Sequence, residues 1–469
     1  MTIVVRVQGQ AADPARLITR IVIHQELARP ASCQLWLADP SAEDQALAPG
    51  TAITVAADGT VLFEGLLSER QLSFGGSGGR LRQVVWTAHD ALHRLRHRWQ
   101  ERTFRDTTAA GVAAALVGTD GLSIAGPRGP RWSQVLQHGQ DDLALLEVVA
   151  VRAGLTFCLR GRTLHLLGDD TLDPPIVLSE DVDLLECTWS VATPSSGAAV
   201  SGWDAGRART ASGVAGRERF NDQAVEDPAQ ASALAAGVAR RRSSQAGHLT
   251  GMVTGTPALR VGGAVQVRAA HLPAAPLRLS RVEHRIEDGT WTTTFATREE
   301  DPTIGLTDPP LLTIGAVTAV DDPEGSGRVR VSLPACGGID GGWLPALAPG
   351  GGAGRGLMAL PGVGDRVAVV YLDALRSQGV VLGGLWGSSG PADAGLSGGE
   401  IRRYTFRTAE GRKVVLDDAR GELLVEDPRG NRLAFSSSGT VLHSAGPLVL
   451  EAPGRSVTIT GSSIDFTSG

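Results

Sequence analysis

Few side chains in this 469-residue sequence have the type and spacing to do chemistry. His89, His93 and His97 recur at every fourth position, so one helix face would carry all three, a spacing that can hold zinc. Arg94, Arg96 and Arg98 interleave with them and would repel a cation, so a solvated polar face is the better reading. Gly75-Gly76-Ser77-Gly78-Gly79 fits the GxSxG pattern in form. A nucleophile elbow needs a strand before it and a helix after it, whereas these glycines join two strand-like segments and read as a hairpin loop. Gly350–Gly356, GGGAGRG, has the glycine of a phosphate loop but neither its GK[ST] ending nor a following helix.

Acidic residues gather near the C-terminus: Asp417, Asp418, Glu422, Glu426, Asp427 and Asp465. Carboxylate pairs cleave glycosidic bonds, but a sugar needs a sizeable concave wall and these segments are short. Charged turns that keep a β structure soluble are the simpler reading. His443 is the remaining candidate. If Val441 points inward then so does His443, and three copies would bring three imidazoles together on an axis able to hold an ion. A one-residue shift would turn Leu442 inward instead and put His443 in solvent. No catalytic residue, cofactor or resident metal is expected.

The elements that position these residues are mostly strands. Sixty glycines and only 4% aromatics suit turn-rich β structure. Asp58-Gly59 and Asp288-Gly289 each interrupt alternating apolar runs and predict hairpins. Three short helices are predicted: one after Asp106 or Thr107, one opening at Asp141 or Asp142 and ending at Gly154, and one with Pro228 in its first turn and Arg240, Arg241 and Arg242 towards its C-terminal end. From Leu311 to Gly387, five short strands read as a small barrel: LLTIGAVTAVDD, GRVRVSLP, GLMALP, DRVAVVYL and GVVLGGLW. Residues 388–400 read as a flexible linker.

Residues 401–469 repeat apolar-x-apolar pairs between polar turns: Val414/Leu416, Leu423/Val425, Leu433/Phe435, Leu448/Leu450, Val457/Ile459 and Ile464/Phe466. Each strand is too short to bury itself within one chain, so the core is expected to close between chains, as a three-fold β-prism or β-helix. At about 4.8 Å per stacked strand, some seven strands would make a needle roughly 30 Å long.

The net charge of -6 does not suggest nucleic-acid binding. Lys413 is the only lysine, a coding bias rather than chemistry. No apolar run reaches the length of about 18–20 residues that a membrane span needs, and the N-terminal residues do not read as a secretory signal. Cys33, Cys158, Cys187 and Cys336 form no CxxC pair and read as reduced thiols. Synthesis in the cytosol is the expectation, with any release by another route, such as lysis.

The three units in this order resemble the central spike of contractile injection systems, a family that includes VgrG proteins, phage baseplate spikes and the spikes of extracellular phage-tail-like particles. The barrel carries the most specific match, in GRVRVSLP and in the segment from Gly341 to Gly387. FEGLLSERQLSF, HDALHRLRHRWQERTF, QDDLALLEVVAVRAGLTFCLRGRTLHL and RVEHRIEDGTWTTTF resemble the family's hub. The resemblance implies a mainly β protein with some α: a hub of mixed α/β barrels over 1–306, an OB-fold over 307–387, a linker over 388–400 and an intertwined trimeric β-helix over 401–469. It implies a non-enzymatic homotrimer that binds inner-tube and baseplate proteins through its hub and pierces the target envelope. A PAAR-type tip protein would sit on Ile464, Phe466, Thr467, Ser468 and Gly469, and the apolar pairs listed above would form the needle core. Leu344-Pro345 stands where the family often has Val-Arg, and Trp386-Gly387 where Asn often follows. No lysozyme-like insert precedes the needle and no toxin domain is expected after it. A β-helical polysaccharide depolymerase and a receptor-binding tail protein are the alternatives.

Overall fold

A computed structural model describes residues 2–12, 18–38, 46–75, 80–180, 182–193, 197–269, 271–301 and 310–467. The chain divides into two compact units, Met1–Leu385 and Trp386–Gly469. The glycine-rich segment 76–79 lies outside the described residues, as do Ser468 and Gly469.

The first unit is built around an eleven-stranded antiparallel sheet. Its middle pairs Arg281–Glu287 with Ile18–Glu26, so a strand from near the C-terminal end of the hub lies beside one from its N-terminal end. Both predicted hairpins are present. Asp58 and Gly59 have φ of 47° and 82°, and Asp288 and Gly289 have 51° and 75°. Left-handed φ at both central residues gives the turn whose twist matches the flanking strands.

The three predicted helices are found at Ala109–Val117, Asp142–Arg152 and Pro228–Ala246. Asp141 and Asp227 cap the second and third by accepting the backbone N–H of Ala144 and Gln230. The first is capped by Thr108, slightly later than its sequence suggested, because Arg102–Thr108 is held in a strand. Gly154 ends the second helix at φ 69°, and a Cβ there would lie 1.9 Å from the carbonyl oxygen of Ala233. Only glycine allows that helix end to touch the third helix.

Five strands form the barrel, in the order 339–345, 328–333, 311–319, 366–371, 379–385. A parallel bridge between Ala346 and Val381 closes it. The expected strand GLMALP belongs instead to the loop between Pro345 and Arg366, with Met358 80% exposed. Ile339–Pro345 takes its place in the barrel, its signal masked by Gly341 and Gly342. Gly341 is required there: Tyr371 donates its hydroxyl to the Gly341 carbonyl at 2.9 Å, and a Cβ on residue 341 would lie 2.5 Å from that hydroxyl. Hub and barrel belong to one unit. Arg105 and Arg330 share the Asp340 carboxylate, and Thr103 donates to the Asp340 carbonyl.

The second unit is a five-stranded antiparallel meander of 403–407, 413–417, 422–426, 432–436 and 439–443. The stretch read as a flexible linker holds defined structure. Asp393 accepts from the Arg403 guanidinium at 2.5 and 2.6 Å and from the Gly395 backbone, and a small hairpin pairs Leu396–Ser397 with Glu400–Ile401. These charge-assisted bonds hold the Asp393 carboxyl well below the usual carboxylate range.

Candidate interaction site

Ladder register sorts the residues of the meander onto two faces. On one, Val414 stands opposite Val425 and Phe406, Leu416 opposite Leu423 and Tyr404, Leu433 opposite Val425 and Leu442, and Leu423 opposite Phe435. Five of the predicted needle-core side chains are thereby cross-strand neighbours of a sixth, Val425, or of each other. They form one continuous apolar surface that the described residues leave largely open: Leu416 is 50% exposed, Val425 43% and Phe435 42%. A groove of about 480 Å³ runs over part of it, lined by Phe406, Val414, Val425, Leu433, Leu442 and Leu448. A contiguous exposed patch of this kind marks an interaction surface.

The opposite face carries an apolar row, Val415, Leu424, Ala434 and Val441, flanked by ion pairs. Lys413 pairs with Glu426 at 2.7 Å, and Arg403 with Asp417 at 3.4 Å. Asp417 also accepts the backbone N–H of Arg420, and Asp427 those of Arg429 and Asn431. These carboxylates fasten turns and ladders, so they do not converge on one point.

His443 lies on this second face with Val441, opposite Arg432, while Leu442 shares the first face with Leu433, the one-residue alternative of the sequence reading. The turn at Ser436–Gly439 sets the register one residue away from the inward Val441/His443 alternative. The signal that could have found this is Leu442 itself, the larger apolar side chain.

Beyond His443 the described chain forms no strand. Leu448, Leu450, Val457, Ile459 and Ile464 are half-exposed, Phe466 is 90% exposed and Thr467 is exposed. The expectation of strands here is not met within one chain, because the ladder has no further strand to pair with after 439–443.

In the hub, His89, His93 and His97 do come together, His89 at the end of the strand Arg80–His89 and the other two on a 3-10 turn, Ala91–His97, rather than on one α-helix. His89 stacks on His93 with centroids 4.1 Å apart, and His97 meets His93 edge-on at 5.0 Å. Burial first, then the neighbouring histidines, lower the pKa of His93 to about 4. Among the described residues, no group of three or more His, Cys, Asp or Glu is arranged to hold a metal ion. Gly350–Gly356 forms a loop closed by a Gly352–Arg355 bridge and opens no helix.

The architecture is a barrel of five antiparallel strands closed by a parallel bridge, fused to a strand-rich hub and followed in sequence by an antiparallel meander. Residues 313–386 match the type VI secretion system/phage-baseplate injector OB domain family. The fold of the chain is shared with an E. coli component of the type VI secretion system, at a TM-score of 0.54 and 11% identity over 81% of this chain and 99% of that one. It is shared with a chain of the Francisella PdpA-VgrG complex, at a TM-score of 0.54 and 9% identity over 94% of this chain and 87% of that one. A prophage MuSo2 tail protein from Shewanella oneidensis aligns at a TM-score of 0.50 and 13% identity, over 63% of this chain and 97% of that one. No curated protein matches the sequence. The resemblance to contractile-injection spikes therefore rests on both the barrel's sequence and the fold of the chain.

Proposed function

We propose that this chain is a non-enzymatic, homotrimeric spike at the front of a contractile injection apparatus. The hub docks to inner-tube and baseplate proteins, the barrel braces the trimer, and the C-terminal unit carries a tip protein of the PAAR type through Ile464, Phe466 and the residues after them. The uncovered apolar face of the 403–443 meander carries this reading. A lone five-stranded sheet exposing Tyr404, Phe406, Leu416, Val425, Phe435 and Leu442 loses hydrophobic stabilisation at about 25 cal/mol per Å² left in water, and three copies packed face to face recover it. The half-exposed apolar residues after His443 then find ladder partners on neighbouring chains, which leaves no lateral edge to peel under axial load.

The spike is made in the cytosol and travels as part of its particle, driven through the target envelope by sheath contraction. The test is the native mass of the full chain by light scattering, beside a truncation ending at Gly399. A trimer of about three times 48.7 kDa that loosens on truncation supports the reading. A compact full-length monomer overturns it.

A further inference from the structure

We propose that the barrels of neighbouring copies interlock head to tail, the loop between Pro345 and Arg366 of one copy seated on the outer face of strands 311–319, 366–371 and 379–385 of the next. This rests on the homotrimeric reading above and names the surfaces by which the barrels meet.

Ladder register defines the face. Val367, Val369 and Tyr371 point into the barrel and are fully buried, so Ala368 and Val370 point outward. Leu312 stands opposite Val370, Val370 opposite Val380, and Ile314 opposite Ala368. Leu312 is 65% exposed, and Ile314 and Leu382 are each 43% exposed. None of these positions is polar, although a strand face turned to water ordinarily carries polar side chains.

The loop supplies the other half of the contact. Leu347, Leu357, Met358, Leu360 and Val363 are all at least 47% exposed, and Arg355 is the one charged residue from 346 to 364. The loop is nevertheless held in shape. The Leu347 N–H donates to the Val381 carbonyl at 2.8 Å, the Leu357 N–H to the Pro349 carbonyl at 3.0 Å and the Gly364 N–H to the Val317 carbonyl at 2.9 Å. A loop shaped before it docks loses little conformational entropy on binding. It does not cover its own chain's face, since Leu312 and Ile314 stay open.

The arrangement selects the occupant. A single protein tolerates an exposed apolar patch of roughly 300–600 Å². This barrel carries two, at different places on its surface. Pairing two copies face to face covers the strands and leaves both loops in water. Seating each loop on the next copy's face covers both patches with one repeated contact, and such a heterologous contact closes as a ring. Three copies in the ring agree with the proposed trimer. A lipid surface would take the loop and leave the flat face uncovered.

The experiment places photoreactive p-benzoylphenylalanine at position 358 of the full chain. Native mass is read by light scattering before irradiation, and the links are mapped by denaturing electrophoresis and peptide mass spectrometry. A trimer is expected to give covalent dimers and trimers, with position 358 linked to residues 311–319, 366–371 or 379–385 of a second chain. Leu312→Asp, a change at an exposed position, abolishes those links without lowering the melting temperature. A trimer whose links from 358 fall elsewhere, or stay within one chain, overturns this proposal and leaves the spike reading standing. A monomer overturns both. A trimer without these links, whose wild type floats with phosphatidylcholine vesicles while Met358→Asp does not, assigns the loop to a membrane and also overturns the proposal.

Discussion

The backbone N–H of Leu136 donates to the carbonyl of Leu375 at 2.9 Å, and each of these leucines is buried in the other's domain. Leu136, from a hub strand, packs among Val329, Val331, Val367 and Tyr371 of the barrel. Leu375, from a barrel loop, packs among the hub residues Leu143, Leu146 and Val149. Gln134 reinforces the exchange by donating to the Gly341 carbonyl at 3.0 Å, and Gln378 by accepting the Ala205 N–H at 2.5 Å. Exchanged core residues make a junction between hub and barrel that resists hinging.

Leu136→Ala or Leu375→Ala should each cost about 2–5 kcal/mol, the usual range for a fully buried leucine. Because each side chain sits in the other domain's core, hub and barrel should still melt together, at a lower temperature. Scanning calorimetry of the full chain checks this. Separate hub and barrel transitions in the wild type would refute the exchange as a rigid junction.

Leu442 and His443 are adjacent in sequence but on opposite faces of the meander. If the chain assembles as proposed, Leu442→Asp should shift the native mass towards monomer, by placing a charge on the apolar face, whereas His443→Asp should leave assembly intact. Light scattering reads both. The reverse order of effects would mean that the register in the assembled needle differs by one residue.

Glu226 has its pKa raised to about 7, by burial first, with Asp373 and Asp204 adding to the rise. The folded state prefers the protonated carboxyl, so its contribution to stability is complete below the ordinary value of 4.5 and is lost as pH rises through 7. Over that window the loss amounts to about 3 kcal/mol. Glu226→Gln should flatten the decline, and denaturant melts between pH 5 and 8 measure it.

His284 behaves with the opposite sign. Burial first, then Arg260, lower its pKa to about 4 from 6.5. Its contribution is present above 6.5 and is lost as pH falls towards 4, again by about 3 kcal/mol. Its Nδ1 sits 3.0 Å from the Thr293 hydroxyl, so His284→Gln keeps a hydrogen-bonding group there while removing the titration. Acid melts of the two proteins should converge near pH 4.

Asp393 ties the segment before the meander to Arg403 and Thr405. Asp393→Ala should expose residues 388–400 to limited proteolysis while leaving the melting of the first unit unchanged. Equal cleavage rates in the two proteins would show that the clamp does not order this segment.

Much of this was legible from the residues alone. Asp58-Gly59 and Asp288-Gly289 declare their turns because few other dipeptides accept left-handed φ at both positions. Asp141 and Asp227 announce helix starts for an equally local reason, and GRVRVSLP marks a barrel strand by alternation. The apolar-x-apolar pairs from Val414 to Phe435 fall on one face of a sheet because side chains alternate along every strand. What sequence could not decide was non-local. Register across the turn at Ser436–Gly439 places Leu442 rather than His443 on the apolar face. Gly341 weakens the signal of a barrel strand, yet is needed because Tyr371 reaches across to it. The exchange of Leu136 and Leu375 joins residues far apart in the chain. The hydrogen bond between His93 and His97 depends on a tight turn that periodicity reads as an α-helix. Local rules fix which way each short segment bends and which residues alternate. The choice of partner for each segment is made by packing among distant residues, which only the folded chain brings together.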